Sequence, residues 1–396
     1  MAERNAVRQA DIWTILRRTG RAMLAGSVLF LAACQTIVPR GAGPGTAGPA
    51  QPGPVSPGLP TDTQRHRVAL LVPTTGTNAG VGQSIANATT LALLDTGAKN
   101  VRMTTYDTGK GVLAAVNSAI ADGNKLILGP LTSDEVKVTA GPARKAGVPV
   151  ISFSNDADVA GNGVFIMGYS PTQSVERVVT FARSKGIENF AAIVPTGVYG
   201  ERTGTAMLDA VRKSGGTVVA MESYDRTSRS LAAAITKLRD ASGYQAVLIA
   251  DGGRIAIQAA PLLRTQGGAN ARILGTELWN TESSLTSSAA LRGAWFASVS
   301  DAYYRQLASK YRTRFGSAPY RLSALGYDAV LLTVKIAQNW SAGSNFPTSQ
   351  LTDKGGFAGI DGAFRFNRNG TSERTLEVQQ VSEGKFTVVD AAPGGF

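Results

Sequence analysis

Short apolar runs alternate with helix-patterned stretches through most of this chain, and that alternation limits the fold more than any other feature. Val68-Ala69-Leu70-Leu71-Val72 is continuously apolar and stops at Pro73, as a strand does when both of its faces are covered. A helix is expected from about Gly80 to Leu94, a strand over Val101 to Tyr106 and a helix over Val112 to Ala121. Lys125 to Leu128 reads as a strand ending in Gly129-Pro130, and Ser133 to Ala146 as a helix that Gly141-Pro142 interrupts. Val148 to Phe153 and Val164 to Gly168 close the first half. The pattern restarts with a strand at Phe190 to Pro195, a helix at Gly200 to Ser214 and a strand at Thr217 to Glu222. A helix at Ser228 to Ala241 and a strand at Gln245 to Ala250 follow, then a helix to about Gln266 and strands at Arg272 to Gly275 and Ala294 to Ala297. The expected class is α/β: two Rossmann-like lobes with mainly parallel sheets. Open sheets of this kind bind ligands outside the carboxyl ends of their strands, so residues just after the strands should line a cleft between the lobes.

The first 66 residues carry a different message. Arg17, Arg18 and Arg21 precede an apolar run from Ala22 to Ala33. About a dozen residues is the length of a signal h-region and short of the roughly 20 that span a bilayer. The run ends in Leu31-Ala32-Ala33-Cys34, which holds the only cysteine of the chain. Leucine, two small residues and cysteine are what a lipoprotein signal peptidase reads. Residues 1–33 are therefore expected to be a lipoprotein signal and Cys34 to carry the lipid that joins the protein to a membrane; an ordinary secretory signal with a chance cysteine, or an uncleaved anchor, is the alternative. Residues 34–66 should form a tether, since Pro39 to Pro60 is dominated by Pro and Gly and cannot bury enough apolar surface to fold. Gln35 is not the aspartate that retains many lipoproteins in the inner membrane, which points to the periplasmic face of the outer membrane.

About 330 residues remain for the folded part, enough for two sizeable cores. With one cysteine no internal disulfide is possible, so packing must supply the stability. The formal charge of the full chain, +12, fits anionic envelope polymers or an acidic partner, or simply a soluble surface, since no dense Lys/Arg cluster appears; basic residues do not line up with aromatics, and nucleic acid is not an expected partner.

Catalysis finds little support. The single histidine, His66, sits at the edge of the tether, so no Ser-His-Asp or Cys-His arrangement can be assembled within the domain. No His/Cys cluster offers a metal site, and the glycines from Gly43 to Gly48 lack the Lys-Ser/Thr ending of a phosphate loop. No enzyme activity and no cofactor are expected. Binding has better candidates. Thr74, Thr75 and Gly76 follow the first strand, and Thr132 and Ser133 follow Gly129-Pro130; each set can hold a ligand or cap the next helix. Ser152 and Ser154 follow a buried strand and should face the cleft. Asp251 ends a strand and is either a ligand contact or a helix cap. Trp279 is either a cleft wall or ordinary core.

Several stretches, taken in order, resemble the type I periplasmic binding proteins of the leucine/isoleucine/valine-binding group. They are Val68 to Gly76, Ile127 to Leu131 and Gly147 to Ser152 in the first half, then Tyr199-Gly200 and Gly326-Tyr327-Asp328-Ala329. Gly362 to Phe366 and Val381 to Phe386 complete the set, and the resemblance spans roughly Arg67 to Val389. It implies two lobes joined by hinge strands over residues 67–390, with lobe 1 about 67–170 and 300–345 and lobe 2 about 171–299 and 355–390. It places Ser154 where a ligand carboxylate is met, Tyr199 over the ligand and Glu277 against a ligand ammonium group. Asp156 stands where that pattern often has threonine, and a carboxylate there would repel a free amino acid's own carboxylate. The signal and tether narrow the resemblance to penicillin-binding-protein activator lipoproteins, although the helical-repeat domain of enteric activators has no room in this chain. That implies a non-enzymatic envelope accessory whose partner is a peptidoglycan synthase or peptidoglycan itself. The alternative is a solute receptor for an amino acid or another small polar ligand, serving an ABC importer.

Overall fold

A computed structural model describes residues 64–241, 243–266 and 268–396. The expected signal at 1–33, the lipidation site Cys34 and the tether as far as residue 63 lie outside the described residues.

The first half builds β1 (His66–Val72), α1 (Ala79–Thr96), β2 (Val101–Asp107), α2 (Val112–Ala121), β3 (Leu126–Leu128), α3 (Ser133–Lys145), β4 (Val150–Ser152) and β5 (Val164–Ile166). Its strands form a five-stranded parallel sheet in the order β2-β1-β3-β4-β5. Successive side chains of a strand point to opposite faces. Val68, Leu70 and Val72 therefore pack on one side of β1, and Ala69 and Leu71 on the other. Helices cover both sides, which is why the run has no polar residue. The α3 helix runs through Pro142 rather than breaking at it. The bond that Pro142 cannot donate would go to the carbonyl of Val138, an exposed residue where water can replace it, while buried Val136, Thr139 and Ala143 hold the helix in place.

The chain then crosses to the second lobe at residues 167–171. There it forms α4 (Pro171–Ser184), β6 (Asn189–Pro195), α5 (Val198–Lys213), β7 (Thr217–Tyr224), α6 (Ser228–Asp240), β8 (Ala246–Ile249), α7 (Gly253–Thr265), β9 (Arg272–Gly275) and β10 (Trp295–Ser298). A second crossing at 299–302 returns it to the first lobe for α8 (Ala302–Phe315), α9 (Ser323–Ala337), β11 (Phe357–Gly359), β12 (Gly362–Phe366) and β13 (Ser372–Arg374). A third, at 374–377, leads to the hairpin β14 (Glu377–Ser382) and β15 (Lys385–Asp390). The second sheet has the order β15-β14-β10-β9-β8-β6-β7, parallel from β7 to β10 and antiparallel at β14 and β15.

Two boundaries differ from the sequence reading. Residues 355–390 were expected together in lobe 2, but Phe357, Phe364 and Phe366 pack into the same core as Val68 and Leu70. Only β14 and β15 join the second lobe. The three phenylalanines give β11–β13 an apolar face, and α9 of the first lobe is the surface available to cover it. His66, expected in the tether, opens β1: its backbone N–H donates to Asn100 O, the residue is 7% exposed, and its ring stacks on Trp340 with centroids 4.0 Å apart. Burial pushes its pKa below the ordinary value.

Candidate functional site

The hydroxyls expected to line the first lobe's half of the cleft are already engaged within that lobe. Ser152 is fully buried, donates to Pro130 O at 2.8 Å and accepts from the Ser154 N–H at 3.0 Å. The Ser154 hydroxyl accepts from the Asp156 N–H at 3.1 Å, so it fastens the loop after β4. Thr132 caps α3 in a reciprocal box. Its hydroxyl accepts from the Glu135 N–H, while the Glu135 carboxylate accepts from the Thr132 N–H at 2.9 Å. Ser133 begins the same helix and supports the Asp156 carboxylate. The Thr75 hydroxyl donates to Asp107 Oδ2 at 2.8 Å. Although desolvation works against it, that hydroxyl and the N–H groups of Thr74, Thr75 and Gly109 hold the Asp107 carboxyl at about 2.

Asp156 meets the other lobe. Arg202, in the first turns of α5, places its guanidinium 2.5 Å from Asp156 and 2.8 Å from Asp158. Burial pushes the Asp156 carboxyl upward, but the Asp158 N–H and Arg202 outweigh it and hold it below its ordinary pKa. One cation thus ties two carboxylates of the first lobe to the second.

In the second lobe, two expected contacts prove structural. Trp279 is fully buried; its indole N–H donates to Asp251 O at 2.9 Å, and its ring lies so close to Gly275 that a Cβ there would come within 2.3 Å of it. It is core, not cleft wall, because the backbone of β9 turns straight over it. Asp251 is 6% exposed and accepts from Tyr224 Oη at 2.7 Å, Arg226 Nε at 2.8 Å and the Gly252 N–H at 2.7 Å. Its role is to lock β7 and β8 to the start of α7.

Tyr199 and Glu277 do come together. The phenol lies 2.9 Å from Thr276 Oγ1 and donates to Glu277 Oε1 at 3.1 Å. Burial, and then the Glu277 charge, push the Tyr199 pKa up, so it stays a donor. The other carboxylate oxygen, Oε2, is buried and has no hydrogen-bond partner among the described residues. Burial pushes the Glu277 carboxyl up to about 7 against the pull of its own backbone N–H, Tyr199 and Ser174. It lines a cavity of ≈ 260 Å³ beside the three crossings, shared with Tyr169 of the first, Val299 of the second and Arg374 of the third. Arg321, just before α9, completes it from the first lobe. Arg321 and Arg374 were not visible as site residues in the sequence, since no local motif marks either.

A family model described as periplasmic binding protein matches residues 66–385, more than half of the chain. The chain belongs to the periplasmic binding protein family. A structure of a putative branched-chain amino acid ABC transporter protein from Rhodospirillum rubrum superposes on this periplasmic binding protein with a TM-score of 0.74 and 22% identity. That match covers 82% of this chain and 100% of the other. Full-length LpoA from Haemophilus influenzae superposes with a TM-score of 0.66 and 20% identity, covering 84% of this chain and 60% of that one. Both likenesses establish the two-lobed α/β fold. An uncharacterized protein of Rickettsia prowazekii is 24% identical over 173 residues, 43% of this periplasmic binding protein; the chain spans less than half, 46%, of that curated relative's length. Among the described residues no helix is long and apolar enough to cross a membrane, and no group of three or more His, Cys, Asp or Glu side chains is placed to hold a metal.

Proposed function

We propose that this periplasmic binding protein is a non-enzymatic lipoprotein, held through Cys34 on the periplasmic face of the outer membrane. There it serves peptidoglycan synthesis as an accessory of the penicillin-binding-protein activator kind, by engaging a synthase or the polymer itself. The fold is shared by transport-protein structures and by LpoA alike, so side chains carry the reading. The observation that supports it best is the Asp156–Arg202–Asp158 bridge between the lobes. A solute receptor has to open and close on its cargo, whereas here the protein's own cation occupies the carboxylates of the first lobe, and the neighbouring serines are turned inward. A second reading, a receptor for a small polar ligand, is favoured by the buried Glu277.

The test is affinity purification of the full-length protein from its native envelope after mild cross-linking. A peptidoglycan synthase should co-purify with the wild type and with Tyr199→Ala/Glu277→Ala. It should be lost with Cys34→Ala, which is expected to leave the membrane fraction. Co-purification of importer subunits instead of a synthase would overturn the reading. A second result is expected from Arg202→Ala. The exposed side of the bridge is screened by solvent, so the loss of stability should be no more than about 1 kcal/mol. The lobes should nevertheless separate further, seen as a larger radius of gyration in small-angle scattering. An unchanged radius would show that the bridge does not set the lobe angle.

A further inference from the structure

Helix α8 contains no Asp or Glu and carries Arg305, Lys310, Arg312 and Arg314, all exposed. The cations are spread from Arg305 to Arg314 along the chain, and the helix gathers them on its solvent side. Lys310 pairs with Asp95 at 2.9 Å. Among the described residues Arg305, Arg312 and Arg314 have no carboxylate within ion-pair distance. Local helix physics does not account for this set. Arg312 and Arg314 suit the negative end of the helix dipole, but Arg305 lies near its start, where a cation is disfavoured. Lys310 and Arg314 stand i,i+4, a spacing at which like charges repel. Charge kept without an internal partner fits an anion outside the molecule.

A trough of ≈ 400 Å³ runs beside the helix. Tyr303, Gln306 and Lys310 line it from α8, Tyr327 and Leu331 from α9, and Ile360 from the turn after β11. Tyr303 is 60% exposed and Gln306 and Lys310 are exposed too, so the trough opens to solvent along α8. Positions 303, 306, 310 and 314 share one side of the helix and span about 16 Å. The trough is built from first-lobe elements alone and shares no residue with the cavity at the crossings.

We infer that α8 and this trough bind a polysaccharide strand that carries carboxylates, namely peptidoglycan. A sugar ring has an apolar face and hydroxyl-bearing edges. The Tyr303 ring offers a surface to the face, while Gln306, Lys310 and Asp95 offer donors and acceptors to the edges. Carboxylates on the peptide branches of the strand pair with Arg305, Arg312 and Arg314. A long open trough flanked by cations suits a chain better than a small solute. The inference rests on the envelope reading and narrows its partner to the polymer.

The experiment is sedimentation of the full-length protein in detergent with purified peptidoglycan sacculi. The wild type should sediment with them at low salt and be released as salt rises, because exposed charges are screened. Sacculi whose carboxylates have been amidated should bind it poorly. Arg305→Gln/Arg312→Gln/Arg314→Gln removes only exposed charge, so it should keep the wild-type Tm and weaken binding on the order of tenfold. Tyr303→Ala should weaken binding while leaving its salt dependence unchanged. Arg229→Gln/Arg239→Gln/Arg254→Gln makes the same loss of charge on exposed arginines of the second lobe and should change binding little. Equal binding to amidated sacculi, a folded α8 triple variant that binds like the wild type, or an equal loss in the second-lobe control would each overturn the inference. So would an α8 triple variant that keeps the sacculi but loses a cross-linked synthase, since the face would then serve a protein. A wild type that ignores sacculi while a synthase still co-purifies would sink this inference and leave the envelope reading standing.

Discussion

Replacing Arg374 with alanine is expected to lower the free energy of unfolding by about 3–5 kcal/mol, the cost of leaving a buried charge without its partner. Arg374 and Asp328 are both almost fully enclosed, and a second buried carboxylate, Asp361, lies close enough to Asp328 that the two charges push the Asp328 proton affinity up, on top of the larger effect of burial. Asp328 also accepts from the Ile360 N–H at 2.6 Å, so it cannot swing out to water without breaking the turn before β12. Removing the guanidinium leaves Asp328 buried without its counter-charge, beside an Asp361 whose own partner is Arg321. A double change, Arg374→Met with Asp328→Leu, should recover much of the loss, because the desolvation cost of the pair then disappears together with its attraction. Urea unfolding of the two variants checks this. A loss below about 1 kcal/mol for the single change would mean that Asp328 already carries a proton and needs no counter-charge.

Stability should fall as pH rises from about 4.5 to about 7, and Glu277→Gln should remove much of that slope. Burial raises the Glu277 pKa from its ordinary value of 4.5 to about 7. In that window the folded protein keeps a proton that the unfolded chain has released, so each unit of pH disfavours folding. The contribution is fully present below the unfolded pKa and gone above the folded one. Its size is on the order of 3 kcal/mol. Glutamine keeps the acceptor for Tyr199 and cannot ionise. Asp328 shifts in the same direction, again mainly through burial, so the informative quantity is the difference in slope between wild type and variant. Urea midpoints at about pH 5 and about pH 8 supply it. Equal slopes would assign the dependence to the other carboxyls that burial raises, Asp328 and Glu377.

The lobes were legible because a parallel strand buried on both faces leaves a mark that little else does: β1 is apolar from Val68 to Val72 and β6 from Phe190 to Val194. The third small sheet was not, because β11–β13 are short and their phenylalanines say that they are buried without saying against which lobe. Tyr199 and Glu277 were found through the resemblance, and they do meet. Trp279 and Asp251 follow strands just as cleft residues do, but a ring and a carboxylate can equally turn back under the sheet edge, and periodicity carries no information about that choice. Arg202, Arg321 and Arg374 were invisible for a different reason. A long cation reads as surface in a sequence, and only the fold shows that carboxylates distant along the chain surround it.

The three crossings also dictate the order in which this protein can be finished. The core against β1 includes α9 and β12, which are made after the entire run from β6 to β10, and the second sheet waits for β14 to cover β10. Neither lobe is complete until the last crossing has been made, so the finished packing of both is expected only late in synthesis. Contacts so distant along the chain make for slow acquisition of structure and a long interval with apolar strands exposed. For this chain, folding is an event of the completed polypeptide.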